Sequence, residues 1–289
     1  MERKKFLLAV VAVSSAFGLL FQGCIEKKSR ISLSDIYSVK TDTTVYLTEE
    51  ENSPTCKISI DFNCIKTANP DDSIVNSINT KLMNCVSEGE PASLSPDAFV
   101  KNIVSGYIND YKNSLSELYE EDKHNIKNPD ELPGWYNYEY DIDTEIGISL
   151  ENILNYDVTI FHNTGGAHPN TFLKWINIDT NTGEILTKQD VFVAGKDNEI
   201  CQLILQKLID ETNTRMETDD MHTAEDLQEY GILLNSELYI PDYFRIGNDG
   251  ITFLYNRYDI APYSMGDFQL TVPYTEIKPY INEETINLQ

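Results

Sequence analysis

The sequence predicts an α+β protein built as two small subdomains, each an antiparallel sheet with packed helices. Three observations predict it. From Cys56 to Cys64 every even position is apolar and every odd one polar, the period of a strand with one buried face. Behind Asp72-Ser73 and Ser95-Pro96, apolar residues recur at helical spacing. Near the end, Asn248-Asp249-Gly250 separates two short apolar runs, a strong hairpin signal. The 41% hydrophobic content of this 289-residue chain is enough for a buried core, and the 10% aromatic content argues against disorder.

The N-terminus reads as a targeting segment. Glu2-Arg3-Lys4-Lys5 is a basic start, and Phe6 to Phe21 carries no charge. That run is a secretory signal, too short for a comfortable membrane span. Leu20-Phe21-Gln22-Gly23-Cys24 resembles a bacterial lipobox, with Phe21 where leucine is usual. The expected processing removes residues 1–23 and leaves Cys24 lipidated; at least two acyl chains there would give a stable anchor. Residues 24–37 then form a polar tether with Lys27, Lys28 and Arg30.

The first subdomain spans 38–150. Residues 36–48 carry a first strand, and Cys56–Cys64 the second. Pro70-Asp71-Asp72-Ser73 opens a helix with Ile74, Ile78, Leu82 and Cys85 in one stripe, broken by Glu88-Gly89-Glu90-Pro91. A second helix runs from Ser95-Pro96-Asp97 to about Glu121, with Phe99, Ile103, Tyr107, Tyr111, Leu115 and Leu118 along it. After a loop from Asn128 to Gly134 comes a long strand. Tyr136, Tyr138, Tyr140, Ile142, Ile146, Ile148 and Leu150 take one face; Asn137, Glu139, Asp141, Asp143 and Glu145 take the other. Same-face neighbours there lie roughly 6.6 Å apart, a separation used by paired glycosidase carboxylates. A regular exposed row lacks the cleft and the unequal environments such pairs need, so it reads as a solvated face.

The second subdomain spans 151–289. A strand from Asn152 to Gly165 places Leu154, Tyr156, Val158, Ile160 and His162 on one side. Gly165-Gly166-Ala167-His168-Pro169 turns the chain into a return strand, Thr171 to Asp179. Asp179 to Glu184 reads as turn chemistry; its glycine falls at the fifth place, where a calcium loop needs the sixth. Thr187-Lys188-Gln189-Asp190 caps a short helical turn, and Ile200 to Thr212 forms a helix. Residues 213–235 read as a polar, acidic and mobile insertion with a short helix. Tyr243–Gly247 and Ile251–Tyr255 form the hairpin, Phe268–Val272 a last strand, and Pro273 opens a closing helix to about Ile281.

Acidic residues outnumber basic ones, 47 to 22. Removal of residues 1–23, net +2 from Arg3, Lys4, Lys5 and Glu2, takes the formal charge from −25 to −27. Such a chain repels nucleic acid and anionic surfaces, and a cationic partner is its electrostatic complement. No Gly-x-Ser-x-Gly elbow, P-loop or His-Glu-x-x-His is present. His162 and His168 lack a third ligand, so no metal, cofactor or catalytic residue is expected. Cys56, Cys64, Cys85 and Cys201 suit no zinc site. Cys56 and Cys64, eight apart in one strand, are roughly 26 Å apart and cannot pair with each other. Tyr255, Tyr258, Tyr263 and Trp175 are candidates for an aromatic face or for core.

Several separated motifs in the second half carry a family resemblance. They are Gly165 to Asn170, Asn177-Ile178-Asp179 with Thr182-Gly183, Ile251 to Asn256, Tyr258 to Tyr263, Gly266, and Val272-Pro273-Tyr274. Together they resemble the exported domain pair shared by a lysozyme-sensing anti-sigma factor and a peptidoglycan deacetylase, where it precedes the catalytic domain. The later module covers about 155–283; residues 38–150 match the earlier one more loosely. The resemblance implies an α+β fold and, from one relative, lysozyme binding. It does not imply deacetylation, because the Asp-His-His set of that catalytic domain has no counterpart here. The resulting expectation is a lipid-anchored, periplasm- or surface-facing binding or sensing protein without catalysis. Its expected partner is a cationic lysozyme-like protein or a glycan, met through Gly165, Gly166, His168, Asn170, Tyr258 and Tyr263. The alternative is an enzyme or accessory module acting on peptidoglycan or another envelope polysaccharide.

Overall fold

The computed structural model describes residues 31–288, apart from 51, 68, 70, 88–93, 126–131, 151, 235–236 and 287. The signal segment, Cys24, the first half of the tether, Pro70, the Glu88–Pro91 breaker and much of the 128–134 loop lie outside the described residues.

The first half of the fold is a five-stranded sheet in strand order, β1 (Ile36–Tyr46), β2 (Thr55–Ile65), β3 (Tyr138–Ser149), β4 (Ile153–Asn163) and β5 (Asn170–Asp179). Neighbours are antiparallel except β2 and β3, which run parallel. Strands β2 and β3 are joined through α1 (Ser73–Val86) and α2 (Pro96–Asn125). Parallel neighbours need such a crossover, and two helices supply it. Asp72 caps α1, accepting from the N–H groups of Ile74 and Val75 at 3.1 and 3.2 Å, a contribution of about 1 kcal/mol.

Both helices cover one face of the sheet. The apolar row of β2 is fully buried there, with Ile78, Leu82, Phe99, Tyr111 and Leu115 against it. Burial in α1 falls on Val75, Ile78, Leu82, Met83 and Val86, a face rotated from the expected stripe, so Ile74 and Cys85 are only half-buried. In α2, Tyr119 takes the buried place and Leu118 is exposed. Tyr136 precedes the strand in a 3-10 turn, Gly134–Tyr136, and its hydroxyl donates to Asp122 at 2.8 Å.

Strands β3 and β4, on either side of the point where the sequence suggests a division, belong to one sheet. Strands β3 and β4 pair from Ser149↔Ile153 to Glu139↔Asn163, and Leu154, Tyr156, Val158 and Ile178 complete the first core. Leu150 leaves the strand: it occupies the left-handed region (φ 43°) at the turn and packs against the second core.

That second core is built on a three-stranded antiparallel sheet, β6 (Phe244–Ile246), β7 (Gly250–Tyr255) and β8 (Phe268–Pro273). Helix α3 (Lys188–Val191), α4 (Asp197–Met216), α5 (Ala224–Glu229) and α6 (Tyr274–Ile277) surround it. Gly250 is required by space, because a Cβ would stand 2.4 Å from the carbonyl oxygen of Val272. Residues 213–235 are more than a polar insertion. Met221, Leu227, Ile232 and Leu233 are buried in this core, and their irregular spacing hides them from a periodicity reading. No helix among the described residues is long and apolar enough to cross a membrane.

Two buried asparagines join the sheets. Asn177 of β5 donates from Nδ2 to the Phe244 carbonyl at 2.8 Å, and its Oδ1 accepts from the Ile246 N–H at 2.9 Å. Its Oδ1 also accepts from Asn155 Nδ2 at 2.9 Å, which reaches the Ile246 carbonyl at 3.1 Å. The side-chain amides stand in for a missing strand and satisfy the edge of β6.

Candidate functional site

The 164–169 loop is shaped by what lies under it. Gly165 has φ +77°, in the left-handed region, and a Cβ there would sit 2.4 Å from the carbonyl oxygen of Trp135. Only glycine lets the loop settle on the Gly134–Tyr136 turn, where Trp135 stacks on Tyr136 with centroids 4.0 Å apart. Gly166 has no such constraint, its nearest contact being the His168 carbonyl at 3.8 Å.

The loop presents His168 to residues some ninety positions later. The imidazole stacks on Tyr263 at 3.8 Å and 21°, and its Nε2 lies 3.3 Å from the Tyr258 hydroxyl. Tyr263 donates to the Pro169 carbonyl at 2.8 Å, and accepts from Arg257 Nη1 at 3.1 Å. The Arg257 guanidinium also lies 4.8 Å from the centre of the Tyr263 ring. Tyr258 has φ +71° and is 62% exposed. A non-glycine residue there costs about 1–3 kcal/mol. Asn256 holds the segment in place. Its side chain grips both the N–H and the carbonyl of Leu173, at 2.8 and 2.9 Å, and its own N–H donates to Asp259 at 2.7 Å. Burial pushes the Asp259 carboxyl up, opposed by that N–H.

The sequence candidates Gly165, Gly166, His168, Tyr258 and Tyr263 therefore share one surface. Asn170 is set apart at the start of β5, exposed and paired with His162. His162 points the other way, 3.1 Å from the Tyr107 hydroxyl and edge-on to Tyr140. Tyr255 is fully buried and Trp175 nearly so. A depression of about 220 Å³ adjoins Tyr258, lined by Gly231, Leu234, Asp259, Ile260 and Pro262. Leu234 is 61% exposed there. Among the described residues no three His, Cys, Asp or Glu side chains could hold a metal ion.

A second feature is the sheet face away from α1 and α2. Glu139, Asp141, Asp143 and Glu145 share it with Asp42, Asp61 and Asp157. Burial raises the Asp141 carboxyl, with Glu139 and Asp42 adding to it. Burial also raises Asp157, opposed by Arg245, which pairs with it and lies 4.3 Å over Trp175. Trp135 and Arg245 escape sequence reasoning, because each meets residues far along the chain, Gly165 and Asp157, and Arg257 escapes it although Tyr263 is only six residues on. Asn256 and Tyr258 on either side of Arg257 are the available signal.

Comparisons with known proteins agree on the fold and leave the chemistry open. Residues 189–275 match a family described as a protein of unknown function, DUF3298. The chain is similar to the crystal structure of a DUF3298-family member from Bacteroides fragilis, at 25% identity and a TM-score of 0.74. That match covers 86% of this chain and 93% of the other. A DUF3298-family protein from Pseudomonas aeruginosa shares the fold at 17% identity and a TM-score of 0.57, over 87% and 96% of the two chains. No curated protein matches the chain significantly. The matched stretch holds Tyr258 and Tyr263 but not His168, so the candidate surface joins that domain to the β4–β5 loop.

Proposed function

We propose that this chain is a lipid-anchored binding or sensing protein of the bacterial cell envelope, without catalysis of its own. Its partner is a cationic, lysozyme-like protein, as the resemblance to the domain pair of the lysozyme-sensing anti-sigma factor implies. One observation carries the reading: the exposed His168 and Tyr258 and the half-buried Tyr263 form an aromatic surface whose polar atoms mostly serve the scaffold. Two hydrogen bonds reach Pro169 and one joins His168 to Tyr258. Rigid aromatic groups of this kind bury much area at low entropic cost, which suits recognition. The acidic sheet face supplies long-range attraction for a cation. Anchoring through Cys24 would hold this surface outside the membrane.

The test is capture of lysozyme by the full-length chain in detergent, at low and at physiological salt. Binding is expected at both, stronger at low salt, and weakened about tenfold or more by Tyr258→Ala with His168→Ala. No binding at either salt would sink the lysozyme reading. Altered muropeptides in a deletion strain, together with turnover by the purified protein, would replace it with an envelope enzyme.

A further inference from the structure

Strand β1 lies at one end of the five-stranded sheet and has β2 as its only strand neighbour among the described residues. It is eleven residues long, well above the length at which proteins leave edges bare. Its hydrogen-bonding parity follows from its two ends. Leu47 donates to the Pro54 carbonyl and Lys66 to the Asp35 carbonyl, both in the Ile36↔Ile65 register. Odd-numbered residues therefore bond to β2. Ser38, Lys40, Asp42, Thr44 and Tyr46 aim their N–H and C=O groups out of the sheet, as does the C=O of Ile36, whose N–H donates to the Leu33 carbonyl.

We propose that this edge docks on β1 of a second copy of the chain, in antiparallel register about a two-fold axis at Thr41. Three observations single out that register. The midpoint of Ile36–Tyr46 is Thr41, so all eleven residues overlap. The outward-bonding residues meet one another, Lys40 with Asp42, Ser38 with Thr44 and Ile36 with Tyr46, giving about ten inter-copy hydrogen bonds once the Ile36 N–H, bonded to Leu33 in its own copy, is left out. The charges are self-complementary: each Lys40 faces an Asp42, twice across the axis. Shifting the axis by one residue brings Asp42 against Asp42 or Lys40 against Lys40, and each shift turns attraction into repulsion. Side chains agree as well. On the helix-covered face Val39 meets Thr43 and Tyr37 meets Val45; on the acidic face the exposed Tyr46 finds Ile36. A lysine on an edge usually blocks pairing. Here Lys40 is already bridged to Asp61 in its own copy and has an acid opposite in the other. The result is one continuous ten-stranded sheet, twice the five strands of a single copy. The excess of negative charge opposes the association, so salt that screens long-range repulsion strengthens it.

The test uses the full-length chain in mild detergent. A two-fold through Thr41 sets the two Thr41 Cα atoms about 4.5 Å apart, inside the disulfide range. Thr41→Cys is expected to cross-link copies under mild oxidation at least tenfold faster than Thr43→Cys, because the two copies of position 43 would lie roughly 13 Å apart. Wild-type chain reports any background from the native thiols. In sedimentation, Lys40→Asp and Asp42→Lys should each be monomeric. An equimolar mixture of the two should regain the dimer, because across the axis every introduced or native aspartate of one variant then faces a lysine of the other. Asp42→Lys leaves the Lys40–Asp61 bridge in place, so its effect does not come from misfolding of that pair. A monomer at all concentrations, equal cross-linking at positions 41 and 43, or no recovery on mixing would each overturn the proposal.

Discussion

Replacing Asn177 with alanine should cost more than any other single change on the surface between the two sheets. Asn177 is 2% exposed, and its amide satisfies the Phe244 carbonyl and the Ile246 N–H. Alanine leaves both backbone groups without these partners in a region that is already buried. At about 1–3 kcal/mol for each unsatisfied group, the loss comes to about 3–5 kcal/mol. Asn155 does not compensate, because its Nδ2 already serves the Ile246 carbonyl. The measurement is urea unfolding followed by far-UV circular dichroism and by tryptophan fluorescence, which reports Trp175 on the same strand. Asn170→Ala, at the exposed start of that strand, is the control and should stay within about 0.5 kcal/mol of wild type. The Asn155→Ala and Asn177→Ala changes share a bond of 2.9 Å, so their costs should fail to add by about 0.5 kcal/mol or more. A loss below about 1 kcal/mol for Asn177→Ala would refute the idea that these amides fasten the two cores together.

Gly165→Ala should destabilise by about 1–3 kcal/mol from backbone strain alone, with more from the contact at the Trp135 carbonyl, whereas Gly166→Ala should be near neutral. Equal melting midpoints for the two would contradict the described packing. Acid stability should follow the capping carboxylates. Hydrogen bonds from Thr187 hold Asp190 below the usual carboxylate range, and hydrogen bonds from the His222 N–H and from Thr223 do the same for Asp226. A depressed folded-state value means stability that is present above the unfolded pKa and lost as pH falls through the folded one. The difference between wild type and the Asp190→Asn, Asp226→Asn double variant should therefore be largest near neutral pH and shrink below about pH 4. A difference that grows on acidification would be the wrong sign.

Much of this architecture is legible because its signals are local. The alternation of β2, the Asp72 cap and the Asn248-Asp249-Gly250 turn each depend on a few adjacent residues, and each element stands where the sequence places it. What the sequence hides is pairing at long range. Nothing near Ser149 says that the next strand continues the same sheet, because a tight turn and a change of unit look alike in composition. The parallel β2–β3 pair is hidden for the same reason: it depends on both helices packing on one face.

The candidate surface divides along the same line. His168 is visible as a histidine in a glycine turn, and Tyr258 and Tyr263 as aromatics in a motif; their contact is set by Asn256 gripping the backbone of Leu173 across eighty-three residues. Other residues of the later half do similar work. Asn177 binds the β6 backbone, Asn256 binds the β5 backbone, and Gly250 lets β7 approach β8. The two asparagines serve main chain of a different element and the glycine makes room for it, roles in which size and hydrogen-bonding pattern leave little choice. These residues therefore specify how the two sheets are joined and packed. Tyr258 and Leu234 are exposed and serve no such junction, so they are the positions the proposed partner would contact.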